Sequence, residues 1–166
     1  MGTTEDLQSA FAGESQANRK YLAFAQKAEK DGFKQVARLF RAVAEAETIH
    51  AHAHLRVMKG VKDTADNLRA AIEGETYEFT QMYPAFIAGA EAEGNKAAHV
   101  SFSYANEVEK IHGNLFTRAL ESVEGGTDLP VADLWICSVC GHTVEGDAPD
   151  KCPICKVGKD KYYRVD

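Results

Sequence analysis

Apolar residues recur every seven positions through the first 124 residues, the pattern of helices that each keep one face buried. Four helices follow from it. The first runs from about Thr4 to Lys30 and stops at Asp31-Gly32, glycine being the usual helix terminator. The second runs from about Phe33 to Lys59 and stops at Gly60. The third starts near Ala65, capped by Asp63 or Thr64, and ends at Glu93 before Gly94. Pro84 inside it removes a backbone hydrogen bond and predicts a kink near that point. The fourth starts after Asn95, a good N-cap, and ends before Gly125-Gly126.

Positions seven apart differ by only about 20° around a helix, so the inner stripes can be written out. The first helix carries Leu7, Glu14, Tyr21 and Ala28; the second carries Phe33, Phe40, Glu47 and His54, flanked by Val43, His50 and Val57. The third carries Leu68, Glu75 and Met82, flanked by Ala71 and Glu78; the fourth carries Phe102, Glu109, Phe116 and Val123, flanked by Ala105, His112 and Ala119. Each stripe is apolar until its middle, where a glutamate interrupts it. One glutamate in such a stripe is ordinary at a helix edge near water. Four helices interrupted at similar depth need another explanation, because carboxylates are rarely buried unpaired.

Two of the interruptions are Glu-x-x-His: Glu47 to His50 and Glu109 to His112. Residues three apart share a helix face, so each pair can reach one metal centre. Glu14 adds a carboxylate from the first helix, and Glu75 and Glu78 add two from the third. Five carboxylates and two imidazoles then converge in an apolar interior. Two cations remove the repulsion, and mixed carboxylate–imidazole ligation suits iron or manganese, with zinc possible. A glutamate from each of two helices with Glu-x-x-His from each of the other two is the ligand pattern of di-iron carboxylate bundles. The halves repeat: Glu14 to Glu47 is 33 positions and Glu75 to Glu109 is 34. Tyr21 and Tyr83 lie about two turns past Glu14 and Glu75, as core aromatics or as hydrogen-bond partners of the ligands. His52, His99, Glu45, Glu73 and Glu107 point off the stripes and read as solvated, and His54 as a packing residue.

Composition narrows the class. With 45% apolar residues the chain can bury a core, and its net charge of −6 argues against nucleic acid as a partner. No apolar run is long enough to span a membrane, and acids occupy the first thirty residues where a signal peptide needs basic and then apolar ones. A cytoplasmic protein is the expectation.

All four cysteines lie late, as Cys137-x-x-Cys140 and Cys152-x-x-Cys155, with eleven residues between the pairs. In a reducing compartment that spacing reads as one tetrahedral four-thiolate metal site. The domains read as a four-helix bundle over 1–126, a Gly/Pro-bearing linker over 127–134 and a small metal-held β module over 135–166. Trp135, Tyr162 and Tyr163 are expected to pack around the metal, and His142 to be exposed. Spacing alone leaves zinc and iron open.

With both modules in view, the chain resembles the rubrerythrin family along nearly all its length. The carrying features are Ala10-Phe11-Ala12-Gly13-Glu14-Ser15-Gln16-Ala17, both Glu-x-x-His motifs, Glu75-x-x-Glu78 followed by Met82-Tyr83-Pro84, and the cysteine pairs. The resemblance implies a ferritin-like bundle with a rubredoxin-like domain, holding two non-haem irons and one iron on four cysteines. It implies a peroxidase: electrons from an external reductase or rubredoxin pass through the cysteine iron to the di-iron site, which reduces hydrogen peroxide to water. It implies that Glu47 and Glu109 bridge the irons, that Glu14, Glu75 and His112 are terminal ligands, and that His50 in the reduced state gives way to Glu78 in the oxidised state. A more positive iron does gain more from a carboxylate than from a neutral imidazole. A ferroxidase or iron-storage protein, and a non-enzymatic zinc-ribbon protein, remain the alternatives.

The link between the second and third helices departs from the family's long crossover. In a ferritin-like bundle these helices run parallel, so the link must span about 33 Å. The five residues Gly60 to Thr64 reach at most about 17 Å. Either the third helix is reversed in an up-down-up-down bundle, or two chains exchange helix pairs in a homodimer. Exchange preserves the family's arrangement and is the expected outcome.

Overall fold

The computed structural model describes residues 2–165. Helices α1 (Thr3–Lys30) and α2 (Lys34–Val57) come first; then α3 (Thr64–Tyr77), a π-helical turn (Glu78–Met82), α4 (Tyr83–Ala92) and α5 (Lys96–Glu124). Strands β1 (Leu134–Cys137), β2 (Thr143–Glu145) and β3 (Tyr162–Val165) close the chain as one antiparallel sheet, in the order β2-β1-β3. The fold class is the expected one, helices followed by a small sheet with a four-cysteine cluster beside it. None of the helices is long and apolar enough to cross a membrane among the described residues. The chain divides into two compact units, residues 1–62 and residues 63–166.

In the first unit α1 and α2 form a helical hairpin. Its seam is made of small residues: Ala37, Ala44 and Ala51, seven apart on α2, and Ala25 and Ala28 on α1, all buried. Alanine lets the two backbones approach closely, leaving the larger side chains and the metal-type residues on the flanks of the seam. Asn18 ties the pair together near its middle, its Nδ2 donating to the Ala44 carbonyl at 2.7 Å and to Thr48 Oγ1 at 2.9 Å.

In the second unit α3, the π-turn and α4 pack along α5. Both helix starts carry the expected caps. Asp63 accepts from the Asp66 amide at 2.8 Å, and Asn95 from the Ala98 amide at 3.1 Å. Gly113 on α5 is buried, and a Cβ there would lie 3.7 Å from Glu75 Cβ and 3.6 Å from Phe79. The helices therefore pack in direct contact beside Glu75.

Two local expectations need correcting. Helix α2 ends with Lys59, not Gly60, in the left-handed conformation, at φ 56°. The Gly60 amide reaches back to the Leu55 carbonyl and the Lys59 amide to that of Arg56, so the left-handed residue is the one before the glycine. The distortion in the third helix also starts earlier than Pro84. The helix stays continuous but widens into a π-turn over Glu78–Met82, where the Tyr83 amide bonds to the Glu78 carbonyl five residues back. The proline then sits in the first turn of α4, where its missing N–H costs least.

Candidate metal centres

Three clusters of metal-type donors form among the described residues. The α1–α2 hairpin brings together Glu14, Glu47 and His50, and the second unit brings together Glu75, Glu109 and His112, with donor atoms within 4.8 Å of one another in each triad. The cause is helix phase. Glu-x-x-His puts two donors on one face, and the neighbouring helix presents its glutamate at the same height. His50 Nδ1 lies 3.0 Å from Glu47 and 4.0 Å from Glu14. His112 Nδ1 lies 2.6 Å from Glu109. The triads differ in exposure: the His50 side chain is 57% accessible and that of His112 26%. Glu45, Glu73 and Glu107 are exposed, as their helix phase requires.

Glu78 lies near the second triad, close enough to feel Glu109 and His112. Burial and a hydrogen bond to Glu109 push the Glu75 carboxyl up to about 7. Burial and the charge of Glu109 also raise Glu78. Tyr83 is raised by burial and then by Glu78, Glu109 and Glu75, so its hydroxyl remains a donor beside three carboxylates. Such crowding is relieved by a cation, and the donor set fits iron in that respect. Tyr21 is placed differently. It packs against Phe24 and Phe40, with ring centroids 6.3 Å and 6.1 Å away.

Tyr83, Phe86 and Phe102 repeat the Tyr21, Phe24 and Phe40 cluster at identical sequence spacings. The repeat therefore slips only between Glu75 and Tyr83, which are eight positions apart where Glu14 and Tyr21 are seven apart. This one extra residue falls where the π-turn begins, and Glu78 opens that turn. A π-turn accommodates an added residue by widening one turn, and such turns are frequent at functional sites. The sequence signal was the 34-residue spacing against 33; a reading that assumes uniform helices passes over it.

The third cluster is Cys137, Cys140, Cys152 and Cys155. Cys137 Sγ is 3.7 Å from Cys155 Sγ, and Cys140 Sγ is 3.6 Å from Cys152 Sγ. Each knuckle turns through a left-handed residue just after its second cysteine, Gly141 at φ 82° and Lys156 at φ 66°. Burial pushes the Cys152 thiol up, but the Tyr162 hydroxyl and the Cys155 and Ile154 amides outweigh it and bring it down to about 6. Burial raises Cys140 and Cys155. Four sulfurs so close would repel one another as thiolates, so the set fits a tetrahedral cation. Trp135 packs here, its Nε1 donating to the Gly146 carbonyl at 2.9 Å. Tyr162 is buried, but Tyr163 points outward by strand alternation. His142 departs from expectation: it is 6% exposed, with Nδ1 2.7 Å from the Tyr162 hydroxyl. A buried imidazole is tolerated because that hydroxyl satisfies it.

Similarity to known proteins follows the same two modules. The family model described as rubrerythrin matches residues 5–120, and the model for the rubrerythrin rubredoxin-like domain matches residues 135–163. The chain is 38% identical to rubrerythrin-2 of Clostridium acetobutylicum, over 96% of this chain and 95% of that protein. It is 36% identical to nigerythrin of Nitratidesulfovibrio vulgaris, over 96% and 85% respectively. Among solved structures it is similar to fully reduced, all-ferrous nigerythrin, with a TM-score of 0.59 at 33% identity, covering 99% of this chain and 87% of that one.

Proposed function

The chain belongs to the rubrerythrin family, and from that premise we propose that it is a peroxide reductase. The supporting observation is that one chain carries carboxylate–histidine triads and a four-thiolate cluster together. Glu14, Glu47, His50, Glu75, Glu78, Glu109 and His112 would hold two irons, and Cys137, Cys140, Cys152 and Cys155 a third. Bound there, the irons supply one-electron redox chemistry, fed from an external reductase or rubredoxin. A storage protein has no need of the electron-delivery module.

The reaction joins hydrogen peroxide with two electrons and two protons and yields two waters. The chain's own part is to set charge and protons around it. Glu47 and Glu109 would be the carboxylates shared by the two irons, and Glu14, Glu75 and His112 would be terminal donors. His50 and Glu78 are alternatives, a neutral ring suiting the reduced state and a carboxylate the oxidised one. The His50 ring is the more exposed of the two imidazoles. Tyr83 keeps its proton, raised by burial and by the charges of the ligand carboxylates; Tyr21 is its counterpart by the internal repeat, held by ring packing.

Each triad supplies only part of the seven-donor set, and the link over residues 58–63 is short for the family arrangement. A homodimer that exchanges helix pairs supplies the complete set. Glu14, Glu47 and His50 of one chain then join the other four ligands of a second chain. The test of the activity is peroxide consumption by the iron-loaded protein, supplied with electrons by a rubredoxin and its reductase. A protein with all its irons that consumes none overturns the reading.

A further inference from the structure

His112 is held from both sides. Its Nδ1 faces Glu109, and its Nε2 lies 3.0 Å from the Thr143 hydroxyl on β2 of the cysteine module. That hydroxyl in turn donates to the Gly141 carbonyl at 3.0 Å, in the residue that follows Cys140. A hydroxyl has one proton to give. With that proton on Gly141, Thr143 can only accept from His112, so Nε2 must carry the ring proton. Nδ1 of the neutral ring is then left with its lone pair 2.6 Å from Glu109, a contact between two acceptors that a cation, or a proton on that carboxylate, must hold. The module is seated on α5 by further contacts that do not touch the donors. Arg118 pairs with Glu145, and Gly141 lies against Val108. Among the described residues, the contacts of His50 are to Glu47 and Glu14 on Nδ1, with no hydroxyl in the place of Thr143.

We propose that Thr143 is a positioning residue for the di-metal site: it fixes His112 as the Nε2–H tautomer with Nδ1 free for a metal, and joins that ligand by hydrogen bonds to the Cys140 knuckle. The inference rests on the reading of His112 as a ligand. Without Thr143 the competing arrangement is favoured, with the proton on Nδ1 donated to the Glu109 carboxylate 2.6 Å away. The metal must then displace that proton. The cysteine module thereby prepares the ligand set of its neighbour, a role separate from electron delivery.

The experiment uses the full-length protein with one zinc per chain, which the soft thiolates take first. Long-range proton–nitrogen spectra of histidine-labelled protein read the His112 tautomer. Zinc added against a competing chelator then reads the affinity of the carboxylate–histidine site. Wild type is expected to show Nε2–H. Thr143→Val should shift His112 toward Nδ1–H and weaken the later zinc by about 10-fold, the usual scale for losing a ligand's outer partner. Thr143→Ser, which keeps the hydroxyl, should restore both. An unchanged tautomer and affinity in Thr143→Val overturns the proposal. A wild-type chain that takes no zinc beyond the thiolates instead overturns the metal-site reading, while the tautomer shift still decides whether Thr143 holds the ring.

Discussion

Glu75 reaches Glu109 through a hydrogen bond, and with burial as the larger cause that contact holds the Glu75 carboxyl up to about 7. Two carboxylates this close cannot both ionise cheaply, so one keeps its proton up to about pH 7 unless a cation replaces it.

The pH behaviour follows from that pair. In protein with zinc only at the cysteines, Glu75 should titrate near 7 by carbon NMR. Glu109→Gln should lower the midpoint only part-way, because burial remains. The folded state holds more protons than the unfolded one between the ordinary value of 4.5 and about 7. This group's stabilising contribution is therefore full below 4.5 and is lost as pH rises through about 7. Denaturation midpoints at pH 5 and pH 8 check it, and Glu75→Gln should shrink their difference. A Glu75 midpoint in the ordinary carboxylate range would contradict the pairing.

Glu78→Ala should leave two irons bound per di-metal site while impairing turnover. Six other donors remain to hold the metals, whereas the oxidised state loses its additional carboxylate. Metal analysis beside peroxide-driven turnover separates the effects. Collapse of the metal content, with normal turnover by whatever holo protein remains, would exclude a redox-linked role.

Lys59→Gly should stabilise the chain by up to about 1 kcal/mol, since a non-glycine residue in the left-handed region costs about 1–2 kcal/mol and glycine's extra unfolded-state entropy offsets part of the gain. Lys59 has φ 56°. Urea unfolding of the metal-loaded protein measures the change, with Lys59→Ala expected to lie near zero. A destabilised glycine variant would show that the lysine side chain matters more than its backbone.

The helix starts, the caps at Asp63 and Asn95, the carboxylate–histidine pairs that share a helix face and the cysteine cluster were legible because each follows a local rule: heptad phase, i,i+3 spacing, or a paired Cys-x-x-Cys. What was missed depends on partners far along the chain or on a changed helix pitch. His142 is buried because Tyr162, twenty residues later, answers its ring. Thr143 meets His112 from thirty-one residues away, and nothing in either's sequence neighbourhood announces it. The π-turn did leave a trace, the one-residue excess in the second half of the repeat, but its meaning needed the aromatic clusters to locate it. Lys59 escaped because the neighbouring Gly60 matched the rule for a helix stop one position too late.

Exchange of helix pairs is tested by complementation. Chains carrying Glu14→Ala and chains carrying Glu109→Ala are co-expressed, and heterodimers are purified by two tags. With exchange, a heterodimer has one intact site and one doubly damaged site, so peroxide turnover should recover to about half of wild type, as expected when sites are shared between chains. Heterodimers as inactive as either parent would show that each chain completes its own site.

The central claim is that this chain's two metal modules serve peroxide reduction, and stopped-flow oxidation of the fully reduced, iron-loaded protein tests it most directly. Absorbance of the cysteine-bound iron is followed after mixing with hydrogen peroxide or with dioxygen. The account predicts rapid oxidation by peroxide, with two electrons consumed per peroxide, and slower oxidation by dioxygen. Faster reaction with dioxygen, or oxidation without loss of peroxide, would contradict it.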